Sequence, residues 1–103
     1  MTGYAFHPEA LLDLDEIWDF ISADSLDAAD RTIAELLSAI RELVSFPNRG
    51  HRRPDLASRP LRFILVREYL IAYAPDESPL WVIAVMHGRR SPRVMAAILR
   101  ARE

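Results

Sequence analysis

The sequence contains no cysteine and no lysine, and only three glycines among its 103 residues. Without cysteine, the chain has no disulfide framework, no thiol nucleophile and no thiolate metal site. Without lysine, it has no amine for a Schiff base and no phosphate-loop lysine. All thirteen basic residues are arginines, which stay protonated and therefore clamp anions but can hardly abstract a proton.

Long apolar runs are also missing, since none approaches the roughly 18 residues of a membrane span. The N-terminus lacks a basic region followed by an apolar one, so we expect no signal peptide and a cytoplasmic protein. The three histidines lie far apart, without the spacing of helical metal ligands, and no serine lies in a nucleophile elbow. We therefore expect no metal and no cofactor.

Half of the residues are apolar, which is enough for the core of one domain spanning residues 1–103. The charges are unevenly distributed along that domain. Residues 1–48 carry ten acids and two arginines, whereas residues 49–103 carry eleven arginines and five acids. Such a pattern indicates an acidic or nucleic-acid partner for the second part, or two halves that complement each other within one fold.

Apolar periodicity predicts the order β-α-α-β-β-β-α, an α+β fold in which an antiparallel helix hairpin packs on a small, mainly antiparallel sheet. Acids of the first helix lie opposite its apolar stripe, so we expect a solvated face there. In the second and third strands, Arg62, Tyr69 and Tyr73 are expected on the more polar face. The predicted strands are 2–6, 61–66, 69–74 and 80–87, and the predicted helices are 8–23, 26–46 and 92–100.

The last apolar strand ends abruptly in His87, Gly88, Arg89 and Arg90, and Arg93 follows. Arginine clusters bind phosphate or carboxylate through paired hydrogen bonds, and a histidine beside them could act as an acid or base on RNA. Alternatively, His87 only fills the end of a strand and the arginines keep it soluble. The residue types alone leave both interpretations open.

Four segments, in this order, resemble the ParE/RelE superfamily of toxins from bacterial type II toxin–antitoxin (plasmid stabilisation) modules, and specifically its ParE branch. They are FHPEALLDLDEIWDFI, LVSFPNRGHRRPDL, RFILVREYLIAYA and VIAVMHGRR. The resemblance extends over nearly the whole chain. One departure is His7, which stands where a capping serine or threonine is usual, so we expect a slightly weaker helix cap.

The resemblance implies a toxin that is not an enzyme, poisons DNA gyrase and depends on its C-terminal segment. On this basis His87, Arg89, Arg90 and Arg93 are expected to bind the target. It also implies a cognate ParD-like ribbon-helix-helix antitoxin, whose tail should lie between the helix hairpin and the sheet. DNA would be contacted only through that antitoxin, and no membrane is involved. The residues expected to bind the antitoxin are Arg62, Tyr69, Tyr73 and Arg89.

Two alternatives remain at this point. A RelE-like, ribosome-dependent mRNA endonuclease would use Arg62, His87 and Arg89 around a phosphate. The absence of lysine, and of tyrosine or histidine after Arg90, speaks against it. A non-toxic family member would only bind its antitoxin and adjust repression of their shared promoter.

Overall fold

A computed structural model describes residues 3–103. The observed elements confirm the predicted order and the α+β class, with boundaries close to the predicted ones. Thr2, which belongs to the first predicted strand, lies outside the described residues. The elements are β1 (Tyr4–Phe6), α1 (Pro8–Ser22), α2 (Leu26–Ser45), β2 (Arg62–Val66), β3 (Tyr69–Ala74), β4 (Leu80–His87) and α3 (Pro92–Ala101).

Each helix begins with a side chain that accepts a hydrogen bond from a free backbone N–H, as helix starts require. The serine hydroxyls of Ser25 and Ser91 accept from Ala28 and Val94. At α1 the acceptor is Nδ1 of His7, 3.1 Å from the Glu9 nitrogen. The imidazole of His7 therefore caps α1 as the serine hydroxyls cap α2 and α3.

The four strands form one sheet in the order β1-β4-β3-β2, with β1 parallel to β4 and the other neighbours antiparallel. The sheet is covered on both faces. Helices α1 and α2 pack on one face, and α3 together with the loop of residues 51–61 packs on the other. Strand β4 lies inside the sheet, which explains why it is apolar on both of its faces.

Tyr69 and Tyr73 are buried, so the expectation that they lie on a polar face is wrong. They alternate with Leu70 and Ala72, and together with Ile71 they point into the core beneath the helix hairpin. Tyr73 is completely inaccessible and Tyr69 retains 6% of its surface. Tyrosine is accepted in such a core when its hydroxyl finds a partner.

The Tyr73 hydroxyl connects the core to the loop after α2. It donates a hydrogen bond to the Pro47 carbonyl at 2.7 Å and accepts one from the Gly50 nitrogen at 2.9 Å. A Cβ atom at Gly50 would lie 2.6 Å from the Tyr73 oxygen and 2.8 Å from the Phe63 carbonyl oxygen. Glycine is required there because the backbone approaches so closely.

Among residues 3–103, no helix combines the length and the apolar character that crossing a bilayer would require.

Candidate functional site

A groove of about 260 Å³ lies between α1 and the C-terminal end of β4, on the hairpin side of the sheet. Its rim is partly apolar, since the Phe20 side chain is 80% exposed. Charges of both signs surround this apolar part. The residues that line the groove are Asp13, Glu16, Ile17, Phe20, Glu68, Tyr69, Val85, His87 and Arg90.

Asp13, one of the residues that line the groove, forms an ion pair that joins α1 to Arg102, just after α3. The Asp13 carboxylate accepts hydrogen bonds from both terminal nitrogens of Arg102, at 2.6 and 3.0 Å. The two side chains retain only 13% and 10% of their surface. The hydrogen bonds that Arg102 donates to the Asp13 carboxylate raise the pKa of Arg102 above its ordinary value.

This pair also satisfies the backbone of β4 where its neighbour ends. Strand β1 pairs with β4 only as far as Val82. Beyond that point, the Val85 N–H donates to Asp13 at 3.0 Å, and the Ile83 carbonyl accepts from Arg102 at 3.1 Å. The pair therefore substitutes for the next residues of a longer β1.

Asp13 is not part of a solvated acidic face, so that expectation is wrong for this residue. It follows Ala10 by three positions and precedes Ile17 by four, which is the spacing of one helix face. Its place within the apolar stripe was therefore readable from the sequence. No comparable pattern pointed to Arg102, because its partner is 89 positions away.

The turn after β4 is held by three local contacts. Nδ1 of His87 accepts a hydrogen bond from the Arg89 nitrogen at 3.1 Å, and the imidazole packs edge-on against Tyr69. The Gly88 nitrogen donates to the Glu68 carbonyl at 2.7 Å. A Cβ at Gly88 would approach that carbonyl oxygen to 3.3 Å, so a larger residue would need a small shift. Burial, followed by the nearby Glu68 charge, raises the pKa of Tyr69.

These contacts present a short basic surface, the arginine turn, formed by Arg89, Arg90 and Arg93. All three side chains are exposed. Within residues 3–103, none of them has a carboxylate within 4.0 Å. Arg90 also lines the groove, so the arginine turn and the groove are adjacent.

Arg62 lies apart from the arginine turn. It begins β2 opposite Tyr73, and its guanidinium donates to the Gly50 carbonyl at 2.7 Å. In the sheet, His87 of β4 lies opposite Tyr69 of β3, and Tyr69 lies opposite Val66 of β2. Arg62 is thus displaced by about 13 Å along the strands and about 10 Å across them. The structure does not bring Arg62, His87 and Arg89 together around one phosphate.

The four residues predicted to bind an antitoxin are likewise separated. Tyr69 lines the groove and Arg89 lies in the adjacent turn. Arg62 is at the other end of the sheet, and Tyr73 has no exposed surface to offer. In the described part of the chain, no three histidine or carboxylate side chains are grouped so that they could hold a metal ion.

A sequence model of one family, the ParE toxin of the type II toxin–antitoxin system parDE, matches residues 4–92. No curated protein sequence matches the chain significantly. Among solved structures, the fold is similar to a chain of the chromosomal ParDE TA system from P. aeruginosa. The TM-score is 0.68 at 16% identity, with 84% of this chain and 96% of that chain covered.

Proposed function

The chain belongs to the ParE toxin family of type II toxin–antitoxin systems, and on that premise we propose that it binds and inhibits DNA gyrase. The contact surface is the arginine turn, with His87 holding its backbone in place. In the resting state, a ParD-like antitoxin neutralises the toxin by occupying the groove beside that turn.

The observation that carries the gyrase proposal is the exposure of three arginines on a backbone that is already ordered. Arginines without an intramolecular carboxylate remain available to an acidic or phosphate-bearing partner. An ordered turn also loses little conformational entropy on binding. The His87–Arg89 hydrogen bond and the Gly88–Glu68 hydrogen bond supply that order.

The groove suits an antitoxin tail that folds as it binds. Phe20 and Ile17 offer apolar contacts, and Glu16, Glu68 and Arg90 offer charged ones. Asp13 occupies the Val85 N–H, so on this edge of β4 the group left to a partner is the Val85 carbonyl, which points the same way. An extended segment could therefore donate a hydrogen bond to this carbonyl while an apolar side chain packs on Phe20.

RNA cleavage is less well supported by the geometry. General acid–base chemistry requires groups within hydrogen-bonding reach of one scissile phosphate. Arg62 is far from His87, and the Nδ1 atom of His87 is already engaged by the Arg89 N–H. The chain has no lysine that could replace Arg62.

The test is to express the chain without antitoxin in a bacterial host and to label DNA and protein synthesis separately during the first minutes. We expect DNA synthesis to stop first and cleaved gyrase–DNA complexes to accumulate. The double substitution Arg89→Ala and Arg90→Ala should abolish growth arrest while leaving the thermal unfolding midpoint unchanged, since both side chains are exposed.

The matched control is the double substitution Arg31→Ala and Arg41→Ala, which removes two exposed charges from α2. It should remain fully toxic. Earlier loss of protein synthesis would contradict the gyrase proposal. Full toxicity of the Arg89/Arg90 variant would exclude the arginine turn, and an expressed but harmless wild-type chain would indicate a member that only binds its antitoxin.

A further inference from the structure

The face of the sheet opposite the helix hairpin carries a further group of arginines, which shares Arg93 with the arginine turn. They lie on the loop of residues 51–61 and on α3, which pack side by side over the same sheet face. Of these, Arg52, Arg59, Arg93 and Arg100 form no ion pair with any described residue. These two segments contain one acid, Asp55, and Arg53 already binds its carboxylate through two hydrogen bonds.

Arg59 is the unusual member of this group. Its Nη1 atom is buried and has no hydrogen-bond partner among the described residues. A buried guanidinium nitrogen without an acceptor is costly, and such groups are rare unless a ligand, ion or water completes them. The neighbouring pocket of about 90 Å³ is lined by Arg52 and Arg53 as well as by Arg59 and Ser58.

We propose that this Arg59 pocket binds a phosphate group of a nucleic-acid backbone. A tetrahedral anion there would lie between the guanidinium groups of Arg59 and Arg52, and a small movement of the side chains around Arg59 would let it also accept a hydrogen bond from the orphaned Nη1 atom. Ser58 could donate a further one. Arginine is suited to this contact because its planar fork matches two phosphate oxygens at once.

The arginines continue beyond the pocket in a line. A depression next to it is lined by Arg59 and Arg100 together with Glu103, and a third one is lined by Arg100 and Arg93 together with Asp55, whose carboxylate Arg53 already binds. Arginines 52, 59, 100 and 93 therefore follow one another across this face as an arginine track. A strand of nucleic acid presents its phosphates in such a row, whereas a free phosphate ion would need only the first position.

An acidic peptide is the less suitable ligand for the track. Capture of a peptide generally relies on buried apolar anchors. On this face the large exposed apolar side chains are Leu65 and Val94, and neither lines any of the three depressions. The apolar anchors lie instead beside the groove on the hairpin side, where Phe20 is exposed.

The test measures fluorescence anisotropy of a short labelled DNA duplex and of a labelled single-stranded RNA with the purified chain, as a function of salt. We expect binding to at least one probe, with an affinity that falls steeply as salt increases. Arg59→Gln should weaken that binding about tenfold or more and reduce the salt slope by about one phosphate contact.

If Arg59→Gln disturbs the fold, two further variants still test the proposal. Arg52→Gln alters an exposed side chain without a hydrogen bond to the described residues and should weaken binding in the same direction. Arg41→Gln, at an exposed position of α2, removes the same charge and should leave the affinity within about twofold, because sequence-independent binding depends on contacted phosphates.

Several outcomes would overturn the proposal. The wild-type chain could bind neither probe at low salt, or Arg41→Gln could weaken binding as much as Arg52→Gln. Inorganic phosphate could raise the unfolding midpoint while neither probe binds, which would identify a small-anion pocket instead. Finally, polyglutamate could displace the labelled probe as well as unlabelled DNA does at equal charge concentration, which would identify an acidic protein as the ligand. None of these measurements depends on gyrase.

Discussion

The Asp13–Arg102 ion pair offers the most quantitative test of how this fold holds its C-terminal segment. Asp13→Ala would leave a guanidinium that is 10% exposed without its carboxylate and the Val85 N–H without an acceptor. Removing one partner of a buried pair typically costs about 3–5 kcal/mol. Because both side chains keep a small part of their surface, we expect the lower end, about 3 kcal/mol.

That loss is large for a domain of this size. Total stabilities are about 5–15 kcal/mol, and for about 100 residues each kcal/mol lowers the unfolding midpoint by about 4–8 °C. Asp13→Ala should therefore lower the midpoint by about 12–24 °C. Urea unfolding followed by the fluorescence of Trp18 and Trp81 would give the free energy directly. Asp15→Ala, an exposed acid on the same helix, should change it by less than about 0.5 kcal/mol.

A double-mutant cycle separates the ion pair from the other contacts of its members. Arg102→Met removes the cation while keeping an apolar stem, and the combination with Asp13→Ala leaves no charge buried. We expect the double variant to be more stable than the sum of the single effects by about 2 kcal/mol. Additive effects, or a cost below about 1 kcal/mol for Asp13→Ala, would refute the view that the pair closes the edge of β4.

Two other substitutions test the groove and the core. Phe20→Ser should leave the toxin stable and active, because the side chain is 80% exposed, yet co-expressed antitoxin should no longer relieve growth arrest. The control Phe46→Ser changes a side chain that is 57% exposed and lies outside the groove, and this variant should still be neutralised. Equal neutralisation of both variants would exclude the groove as the antitoxin site. Burial raises the pKa of Tyr73 in the folded chain, so its contribution to stability is intact below the unfolded value of about 10 and is lost as the pH rises through the folded value. Above about pH 10 the unfolding free energy of the wild type should thus fall more steeply than that of Tyr73→Phe. A residual slope in the variant comes from Tyr69, whose pKa is also raised. Parallel curves would contradict this assignment.

The sequence was sufficient for the elements because each has a strong local signal. The stripe of α2 and the short apolar strands follow periodicities set by the helix and the pleat. The two capping serines and the prolines at the starts of α1 and α3 are equally local. What escaped prediction depends on contacts between distant residues. Gly50 and Tyr73 are 23 positions apart. The apolar periodicity of β3 therefore does not predict that the Tyr73 hydroxyl bonds to the loop that contains Gly50.

The arrangement of the candidate sites escaped prediction for the same reason. His87 and Arg89 are neighbours in sequence and remain neighbours in space, so the arginine turn was readable. Arg62 looked equivalent by residue type, but the strand register puts it at the opposite end of the sheet. Arg59 differs from the other loop arginines by the burial of one nitrogen, and the sequence contains no signal that predicts this burial.

The ion pairs bear on the two explanations of the uneven charge. If the two halves simply complemented each other, the arginines of residues 49–103 would pair with the acids of residues 1–48. Within the part of the chain that the structure describes, only Arg49, Arg67 and Arg102 do so, with Glu42, Glu35 and Asp13. Arg53 pairs with a neighbour in its own loop, Asp55. The other arginines of that half have no carboxylate within 4.0 Å among residues 3–103, and they lie in the arginine turn, in the arginine track and at Arg62. Internal ion pairs therefore use a minority of the positive charge, and most of the other arginines are exposed, where they are available to an acidic or phosphate-bearing partner.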